Sequence, residues 1–139
     1  MASRGAGKIL LTSSIAGTMP TPLEAVYGAS KAFVLSLAKS LRYELDDIGI
    51  TVTALQPGPT DTNFFARAGM EDTKVATGKK DDPAEVAKEG LEALMKGKDH
   101  VVAGSLKNRI QDAAAQILPE LAKAAAHRRE TEPGSGKKR

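Results

Sequence analysis

A serine, a tyrosine and a lysine near the start of the chain have the types and spacing to move a proton without histidine, cysteine or metal. Tyr27 and Lys31 are four residues apart, so in a helix they lie on one face, one turn from each other. Free tyrosine ionises near pH ~10, and an ammonium group one turn away favours the phenolate and lowers the tyrosine pKa. A hydroxyl from Ser14 could hold a carbonyl or alcohol oxygen beside the phenol, which completes a candidate site for general acid–base chemistry.

These three residues also have an ordinary structural interpretation. Tyr27 and Lys31 could be surface positions of a helix and Ser14 a turn residue, because the pattern Tyr-x-x-x-Lys arises often by chance. The surrounding sequence favours a catalytic role for these residues. Ser14 follows the short apolar run 9–11. A long helical pattern and a second strand, which ends at Pro57-Gly58, come next.

The elements that must position these residues form a β-α-β unit. Residues 8–12 are predicted to be a strand, residues 25–47 a helix, and the β-branched run 50–56 a second strand. The strands of such a unit are parallel with a right-handed crossover. Ligands of these sheets bind beyond the carboxyl ends of the strands, where Ser14 and the turn at 57–58 both fall.

The rest of the chain predicts further helices and a third strand. Asp82-Pro83 starts a helix that ends at Gly97, residues 101–103 are a strand, and Ser105 caps a last helix that Pro119 bends or interrupts. Apolar residues three or four apart in that helix are Leu106, Ile110, Ala113 and Ile117. The predicted fold class is α/β, with three parallel strands and flanking helices.

The long helix 25–47 carries two rows of side chains. The apolar row, which we expect in the core, comprises Val26, Phe33, Leu37, Leu41 and Leu45. A second row is small throughout and comprises Gly28, Ala32, Ser36 and Ser40. Small residues let another element approach closely, and the sequence leaves open whether that element is the sheet of the same domain or another molecule.

Composition and charge exclude several classes of protein. The chain of 139 residues has no cysteine, so it has neither a disulfide framework nor a cysteine metal site. No apolar run approaches the ~18 residues of a membrane span, so a cytoplasmic location is expected. Residues 127–139 carry five Lys or Arg and two Asp or Glu, which is the whole net charge of +3. The neutral body 1–126 is therefore predicted to be the domain, without a nucleic-acid surface, and 127–139 a disordered basic tail. His100 and His127 are taken as structural or surface residues.

The order of these motifs resembles the catalytic signature of the classical short-chain dehydrogenases/reductases. The matching residues are Ser14, the pair in Tyr27-x-x-x-Lys31, and a later Pro57-Gly58-x-x-x-Thr62. The resemblance implies that Ser14, by its spacing rather than Ser13, orients the substrate oxygen. It also implies that Tyr27 donates or accepts the proton, and that Lys31 lowers the tyrosine pKa and binds the nicotinamide ribose.

The same resemblance implies an NAD or NADP cofactor and a small-molecule carbonyl or alcohol substrate. Pro57 and Gly58 would lie against the nicotinamide, the Thr60 backbone would meet its carboxamide, and Thr62 would help hold that end. The turn could equally be a simple loop that leads into a helix, with Thr62 or Asp61 as the N-cap. Residues 63–80 resemble the family's mobile substrate-covering segment, and their apolar wall is predicted to comprise Phe64, Phe65 and Met70.

The resemblance runs from about residue 4 to about residue 118, and only to the C-terminal half of the family's chain. The glycine-rich pyrophosphate turn, the residue that selects NAD or NADP, and a catalytic asparagine have no counterpart here. We therefore expect a fragment or shortened gene product, inactive by itself, with an open sheet edge at strand 8–12. The family's dimer interface implies a homo-oligomer through helix 25–47.

Two functions of different classes follow. The first is an NAD(P)-dependent oxidoreductase that transfers hydride between the cofactor and a carbonyl or alcohol, with Tyr27 as general acid or base. The second is a catalytically inactive half-domain that acts as an interaction or regulatory module through the small-residue face of helix 25–47. A coding region that extends upstream with a glycine-rich strand–turn–helix would favour the first.

Overall fold

Three parallel strands form the centre of the molecule. The computed structural model of the protein describes residues 1–136. Strands β1 (Gly7–Thr12), β2 (Ile50–Pro57) and β3 (His100–Ala103) form one sheet in the order β1-β2-β3, and both pairings are parallel. Gly7 pairs with Ile50 and Thr12 with Leu55. The predicted α/β fold class, a partial Rossmann-like arrangement, is confirmed.

Helices connect and cover these strands. The helices are α1 (Ala25–Asp46), α2 (Phe64–Arg67), α3 (Lys74–Thr77), α4 (Pro83–Met95), α5 (Leu106–Ala115) and α6 (Glu120–Thr131). Two helix boundaries follow from local residues, as predicted: the end of α1 before Gly49 and the start of α4 at Asp82-Pro83. Gly49 has a φ of 72° after α1, a left-handed conformation that glycine adopts without strain. Asp82 caps α4 by accepting a hydrogen bond from the Ala84 amide at 2.7 Å, with Pro83 as the first helical residue. No helix within residues 1–136 has the length and apolarity needed to cross a bilayer.

The sheet has an apolar layer on each face. On one face Leu35 and Ala38 of α1 pack on Val52 and Ala54, and Leu41 and Leu45 join them. On the other face, Val86 of α4 packs on Leu55 and Ala103. These two layers hold the carboxyl ends of β1 and β2 side by side, which is where the candidate residues lie.

The prediction that the whole apolar row of α1 lies in the core is wrong for its first half. Val26 and Phe33 are 85% and 66% exposed, and Leu37 is also exposed. The reason is geometric, because successive residues turn by about 100° around a helix, so Phe33 lies about 160° away from the sheet-facing Leu35. The small row is divided as well: Gly28 is buried, whereas its other members are exposed.

The C-terminal segment differs most from the prediction. Residues 127–131 belong to α6 and are not disordered. Thr131 is buried, and its hydroxyl donates to the Pro22 carbonyl at 3.3 Å. Contacts with a distant part of the chain thus order this segment, and its composition does not reveal them. Lys137 to Arg139, the rest of the predicted tail, lie outside the described residues.

Helix α5 also presents a different face to the core from the one its apolar spacing suggests. Leu106, Ile110 and Ile117 are exposed, whereas Asn108 and Asp112 are buried. Asn108 is buried because its amide donates to the Ala103 carbonyl at 3.0 Å and to the Asp81 carboxylate at 2.7 Å. Polar anchoring at the end of β3 therefore orients this helix.

Candidate active site

The residues proposed from the sequence for catalysis and cofactor binding all line one cavity of about 540 Å³ at the carboxyl ends of β1 and β2. They are Ser14, Tyr27, Lys31, Pro57, Gly58, Thr60 and Thr62. Phe64 and Phe65 line it too, as predicted for the apolar wall, whereas Met70 does not. The volume is within the range of small-molecule sites, which is about 300–1,000 Å³.

The turn after β1 is fastened to α1 by two small residues. Ser13 is buried and its hydroxyl donates to the Lys31 carbonyl at 2.7 Å. A Cβ on Gly17 would lie 2.9 Å from that same carbonyl oxygen, so a side chain there would push the turn away from the helix. The Ser-Ser-Ile-Ala-Gly segment is thus shaped to hold its second serine close to α1.

Ser14 lies where β1, β2 and α1 meet. Its hydroxyl oxygen accepts from the Ala16 amide at 3.1 Å and donates to the Pro57 carbonyl at 3.4 Å. Ser14 also acts on the phenol of Tyr27, whose pKa it lowers. This hydroxyl is therefore placed to share a ligand oxygen with Tyr27.

Tyr27 and Lys31 lie one turn apart on α1, as their spacing predicts. The Lys31 ammonium is 5.7 Å from the centroid of the Tyr27 ring and donates to the Thr12 carbonyl at 3.2 Å. The Tyr27 ring packs against Phe64 at a centroid distance of 5.2 Å and an angle of 50°. The phenol is therefore fixed in the cavity by an apolar neighbour on one side and by Ser14 on another.

The pKa of Tyr27 is raised, in contrast to the lowering expected from Lys31. Burial is the main cause, the Glu24 carboxylate adds to it, and the hydrogen bond from Ser14 opposes it. The Lys31 ammonium is held toward the Thr12 carbonyl rather than against the phenol oxygen. The phenol of Tyr27 is thus neutral at pH ~7.

A titration of tyrosinate absorbance can test this environment. We expect Tyr27 to ionise above pH 10, and the step to disappear in Tyr27→Phe, which leaves Tyr43. Ser14→Ala should raise the pKa of Tyr27 further, whereas Glu24→Gln should lower it. Because the folded-state pKa exceeds the unfolded one, the linked stability is present below pH ~10 and lost as pH rises through the folded-state value.

The control for this titration is Glu44→Gln, an exposed change on α1 that should leave the pKa of Tyr27 unaltered. Equal shifts in Glu24→Gln and Glu44→Gln would contradict the stated role of Glu24. An unchanged pKa of Tyr27 in Ser14→Ala would contradict the lowering effect of Ser14.

The turn after β2 is held by a polar clasp, which we define as Asp81 and Asn108. The Asp81 amide donates to the Pro59 carbonyl at 2.8 Å, and the Asp61 amide donates to the Asp81 carbonyl at 2.9 Å. The Asn108 amide lies against Gly58 so closely that a Cβ on this glycine would overlap it. The clasp fixes the backbone of the Pro-Gly turn, and no residue spacing in the sequence indicates it.

The two threonines of this turn make local hydrogen bonds. Thr60 donates to the Gly58 carbonyl at 2.9 Å, and the Thr62 hydroxyl accepts from the Phe64 amide at 3.3 Å. The N-cap of α2 is Asn63 rather than Thr62 or Asp61, although the Thr62 hydroxyl accepts from the first amide of the helix. Since both residues also line the cavity, these local hydrogen bonds and a ligand-binding role are compatible.

Sequence reasoning missed the contribution of α6. His127 lines the cavity, and its Nε2 lies 2.9 Å from the carboxylate of Glu24, just before α1. These two residues are 103 positions apart, so no local pattern indicates the pair. Among residues 1–136, histidine and carboxylate side chains form no group of three that could hold a metal ion.

With this geometry established, the comparisons identify the family. The family model described as short chain dehydrogenase matches residues 1–73, more than half of the chain. The chain therefore belongs to the short-chain dehydrogenase/reductase family. The matched region contains Ser14, Tyr27, Lys31 and the turn 57–62.

Individual relatives agree with this assignment. Dehydrogenase/reductase SDR family member 7B of Danio rerio is 38% identical over 113 residues, which cover 75% of this chain and 36% of the relative. A short-chain dehydrogenase from Burkholderia cenocepacia in complex with NADP has a TM-score of 0.69 at 27% identity, over 91% of this chain and 48% of that one. One from Sphingobium yanoikuyae in complex with NADPH has a TM-score of 0.66 at 29% identity, over 83% and 45%. The chain spans about a third to a half of these relatives.

Proposed function

We propose that this chain is the C-terminal, catalytic half of an NAD(P)-dependent short-chain dehydrogenase/reductase. It would transfer hydride between the cofactor and a small carbonyl or alcohol compound. The observation that carries the proposal is the convergence of Ser14, Tyr27, Lys31 and the turn 57–62 on one cavity. These residues come from three separate elements, and only the fold brings them together.

In the reductive direction, the bound nicotinamide would supply a hydride to the carbonyl carbon. The Ser14 hydroxyl would hold the carbonyl oxygen, and the Tyr27 phenol would give its proton to that oxygen as the hydride arrives. The raised pKa of Tyr27 suits a group that starts as the neutral donor. In the oxidative direction, the same phenol oxygen would receive the alcohol proton as phenolate, and the Lys31 ammonium would stabilise this charge.

The residues fit the nicotinamide end of the cofactor. The cavity offers the Lys31 ammonium and the backbone of the turn 57–62, which the clasp holds in place. Pyrophosphate groups are typically held at a glycine-rich turn between a strand and a helix. Within residues 1–136, Gly5 lies just before β1 and Gly7 is the first residue of β1, so these glycines do not form such a turn. This supports the proposal that the chain corresponds to the C-terminal half.

Isothermal titration calorimetry with NADPH and NADH tests this assignment. We expect the 139-residue chain to bind both with an affinity weaker than micromolar, because it contacts only the nicotinamide end. The chain joined to a first half that carries the pyrophosphate turn should gain affinity. Micromolar binding by the 139-residue chain would contradict the proposed division of the cofactor site.

A second candidate function is an interaction module without catalysis. The observation that favours it is the exposed apolar side of α1, where Val26 and Phe33 face solvent. A fused, cofactor-binding form that reduces no carbonyl compound in a broad panel, while the chain still associates through α1, would favour this alternative.

A further inference from the structure

Helix α5 presents its apolar side to solvent and its polar side to the protein. Asn108, Asp112 and Ala115 are buried, whereas Leu106 and Ile110 are 69% and 61% exposed. Because successive residues turn by about 100° around a helix, the three buried residues share one side of α5 and the two aliphatic residues lie on the opposite side. An ordinary surface helix has the reverse arrangement, with its apolar side towards the core.

The apolar side continues past the end of α5. The amides of Ile117 and Leu118 donate to the Ala114 carbonyl at 3.1 and 3.0 Å, so the helical turn extends beyond the last residue of the helix. Ile117 is 85% exposed. We define the outer stripe by exposed apolar residues three or four positions apart, which are Leu106, Ile110, Ala113 and Ile117. They belong to neither apolar layer of the sheet, and a contiguous apolar surface of this kind marks a site of interaction.

Cationic side chains border the outer stripe on both sides. Counted around α5 from Leu106, Lys107 lies about 100° to one side and Arg109 about 60° to the other. Lys107 is exposed, and Arg109 keeps 55% of its side chain exposed while it pairs with Glu89 at 3.1 Å. The one carboxylate in the sequence of α5, Asp112, is buried on the opposite side. The border of the stripe is therefore positively charged.

The excess positive charge of the chain lies in the same part of the sequence. Residues 106–139 contain eight Lys or Arg and four Asp or Glu, a net charge of +4, whereas residues 1–105 have a net charge of −1. In α6, Leu121 is 85% exposed. Arg128, seven residues later and about 20° away around the helix, is exposed as well. Exposed aliphatic side chains and cations thus occur together in both helices.

These charges distinguish between two occupants of the outer stripe. A second copy docked across a two-fold axis would bring the surface against itself, so Lys107 and Arg109 of one copy would lie near those of the other. Like charges opposed across an interface disfavour association. An anionic bilayer instead offers an apolar region for the aliphatic side chains and negative headgroups for the cations.

We infer that α5 is a membrane-docking helix that lies in the plane of an anionic lipid surface. The outer stripe enters the boundary between headgroups and acyl chains, and Lys107 and Arg109 reach the headgroups. Docking of this kind needs no helix that crosses the bilayer. Lys107 also lines the candidate cavity, so the docked protein holds that cavity beside the lipid surface. The inference does not depend on the proposed oxidoreductase function.

Vesicle sedimentation of the 139-residue chain tests this inference. The vesicles contain phosphatidylcholine with about 30% phosphatidylserine, which gives the bilayer a negative surface potential, and vesicles of phosphatidylcholine alone are the reference. We expect binding to the anionic vesicles to be at least about tenfold tighter. Raising the salt from about 0.05 M to about 0.5 M should remove most of this difference, because salt screens the attraction. No binding to either vesicle, or equal binding to both, would overturn the inference.

Substitutions in the outer stripe test which surface docks. Ile110→Glu and Ile117→Glu should each weaken binding to anionic vesicles at least about tenfold, because a carboxylate replaces an inserted aliphatic side chain and meets negative headgroups. The matched control is Leu91→Glu, at a 56% exposed position of α4. Leu91 lies about 160° around α4 from Glu89, the residue that contacts α5. This control should bind within about twofold of the unmodified chain, and an equal loss in all three variants would contradict docking through α5.

The cations are tested by a double variant that keeps the aliphatic residues. Lys107→Gln combined with Arg109→Gln should weaken binding to anionic vesicles at least about fivefold. Binding to phosphatidylcholine alone should not change. The control pair is Lys39→Gln with Lys88→Gln, two exposed positions on α1 and α4. Equal losses in the two pairs would show that only the overall charge of the chain matters and would overturn the assignment of α5.

Amide signals provide a measurement that needs no variant. In small bicelles of the anionic composition with a spin-labelled lipid, the signals of residues 106, 110 and 117 should broaden more than those of residues 39 and 91. Equal broadening would contradict the proposed orientation. Sedimentation velocity without lipid tests the other occupant. If Ile117→Glu dissociated a dimer of the unmodified chain and left vesicle binding unchanged, the outer stripe would be an interface between copies, and the lipid inference would be wrong.

Discussion

Replacing Tyr27 by phenylalanine is expected to lower turnover by about 10²–10⁴, the usual contribution of a positioned proton-transfer group. The experiment uses the chain joined to a first half that completes the cofactor site. The ring in the variant keeps its packing against Phe64, at a centroid distance of 5.2 Å in the unmodified chain. Cofactor affinity should therefore stay nearly unchanged, and the loss should appear in kcat.

The matched control is Tyr43→Phe, which removes the same hydroxyl from the same helix. Tyr43 is 88% exposed and does not line the cavity, so its replacement should leave turnover within twofold. Steady-state rates of NAD(P)H oxidation with a carbonyl substrate provide the measurement. If Tyr27→Phe kept more than about a tenth of the activity, another group would have to deliver the proton.

The sheet and the cavity residues could be predicted because local sequence patterns determine them. The apolar run 9–11, the long helix and the β-branched run 50–56 each identify an element, and the right-handed crossover rule fixes their arrangement. Parallel strands bring their carboxyl ends to one edge. For that reason, Ser14 and the turn 57–62 could be placed together without knowledge of any side-chain contact.

The parts that could not be predicted depend on contacts between distant segments. His127 meets Glu24 and Thr131 meets Pro22 across more than 100 positions. The composition of residues 127–139 suggested a disordered tail, whereas these contacts order its first residues as a helix. The clasp of Asp81 and Asn108 is of the same kind, since it joins a loop to α5 through carboxylate and amide groups with no characteristic spacing.

Local spacing also gave an incomplete account of the pKa of Tyr27. The four-residue separation correctly places Lys31 one turn away, but it does not reveal where the ammonium points. In the structure the ammonium donates to the Thr12 carbonyl, while burial and Glu24 raise the pKa. Burial and the Glu24 contribution come from the three-dimensional arrangement around the ring, which the spacing cannot supply.

Association of two copies through α1 stays a prediction, and the structure shows which side chains of α1 such an interface would cover. The outward side of α1 exposes Val26, Phe33 and Tyr43, three large side chains that the sequence had placed in the core or left unassigned. Ala32, next to Phe33, is exposed as well. Because a two-fold axis pairs a surface with itself, the same side of α1 in a second copy would cover these groups.

We therefore expect the chain to be a dimer or larger, and Ala32→Glu to shift it to monomer or to aggregate. The glutamate would face solvent in the monomer, so folding should survive, but it would be buried without a partner in the dimer. An uncompensated buried charge costs about 3 kcal/mol or more, which is roughly 100-fold in the dissociation constant. Light scattering and sedimentation velocity over a concentration series measure the change.

Ala87→Glu is the matched control, because it makes the same substitution at an exposed position of α4, away from α1. Its dissociation constant should equal that of the unmodified chain, as should its melting temperature. Phe33→Glu, on the same exposed side of α1, should weaken association at least as much as Ala32→Glu. A folded monomer in the unmodified chain, or equal dissociation constants for the α1 and α4 variants, would show that this side of α1 is not the interface.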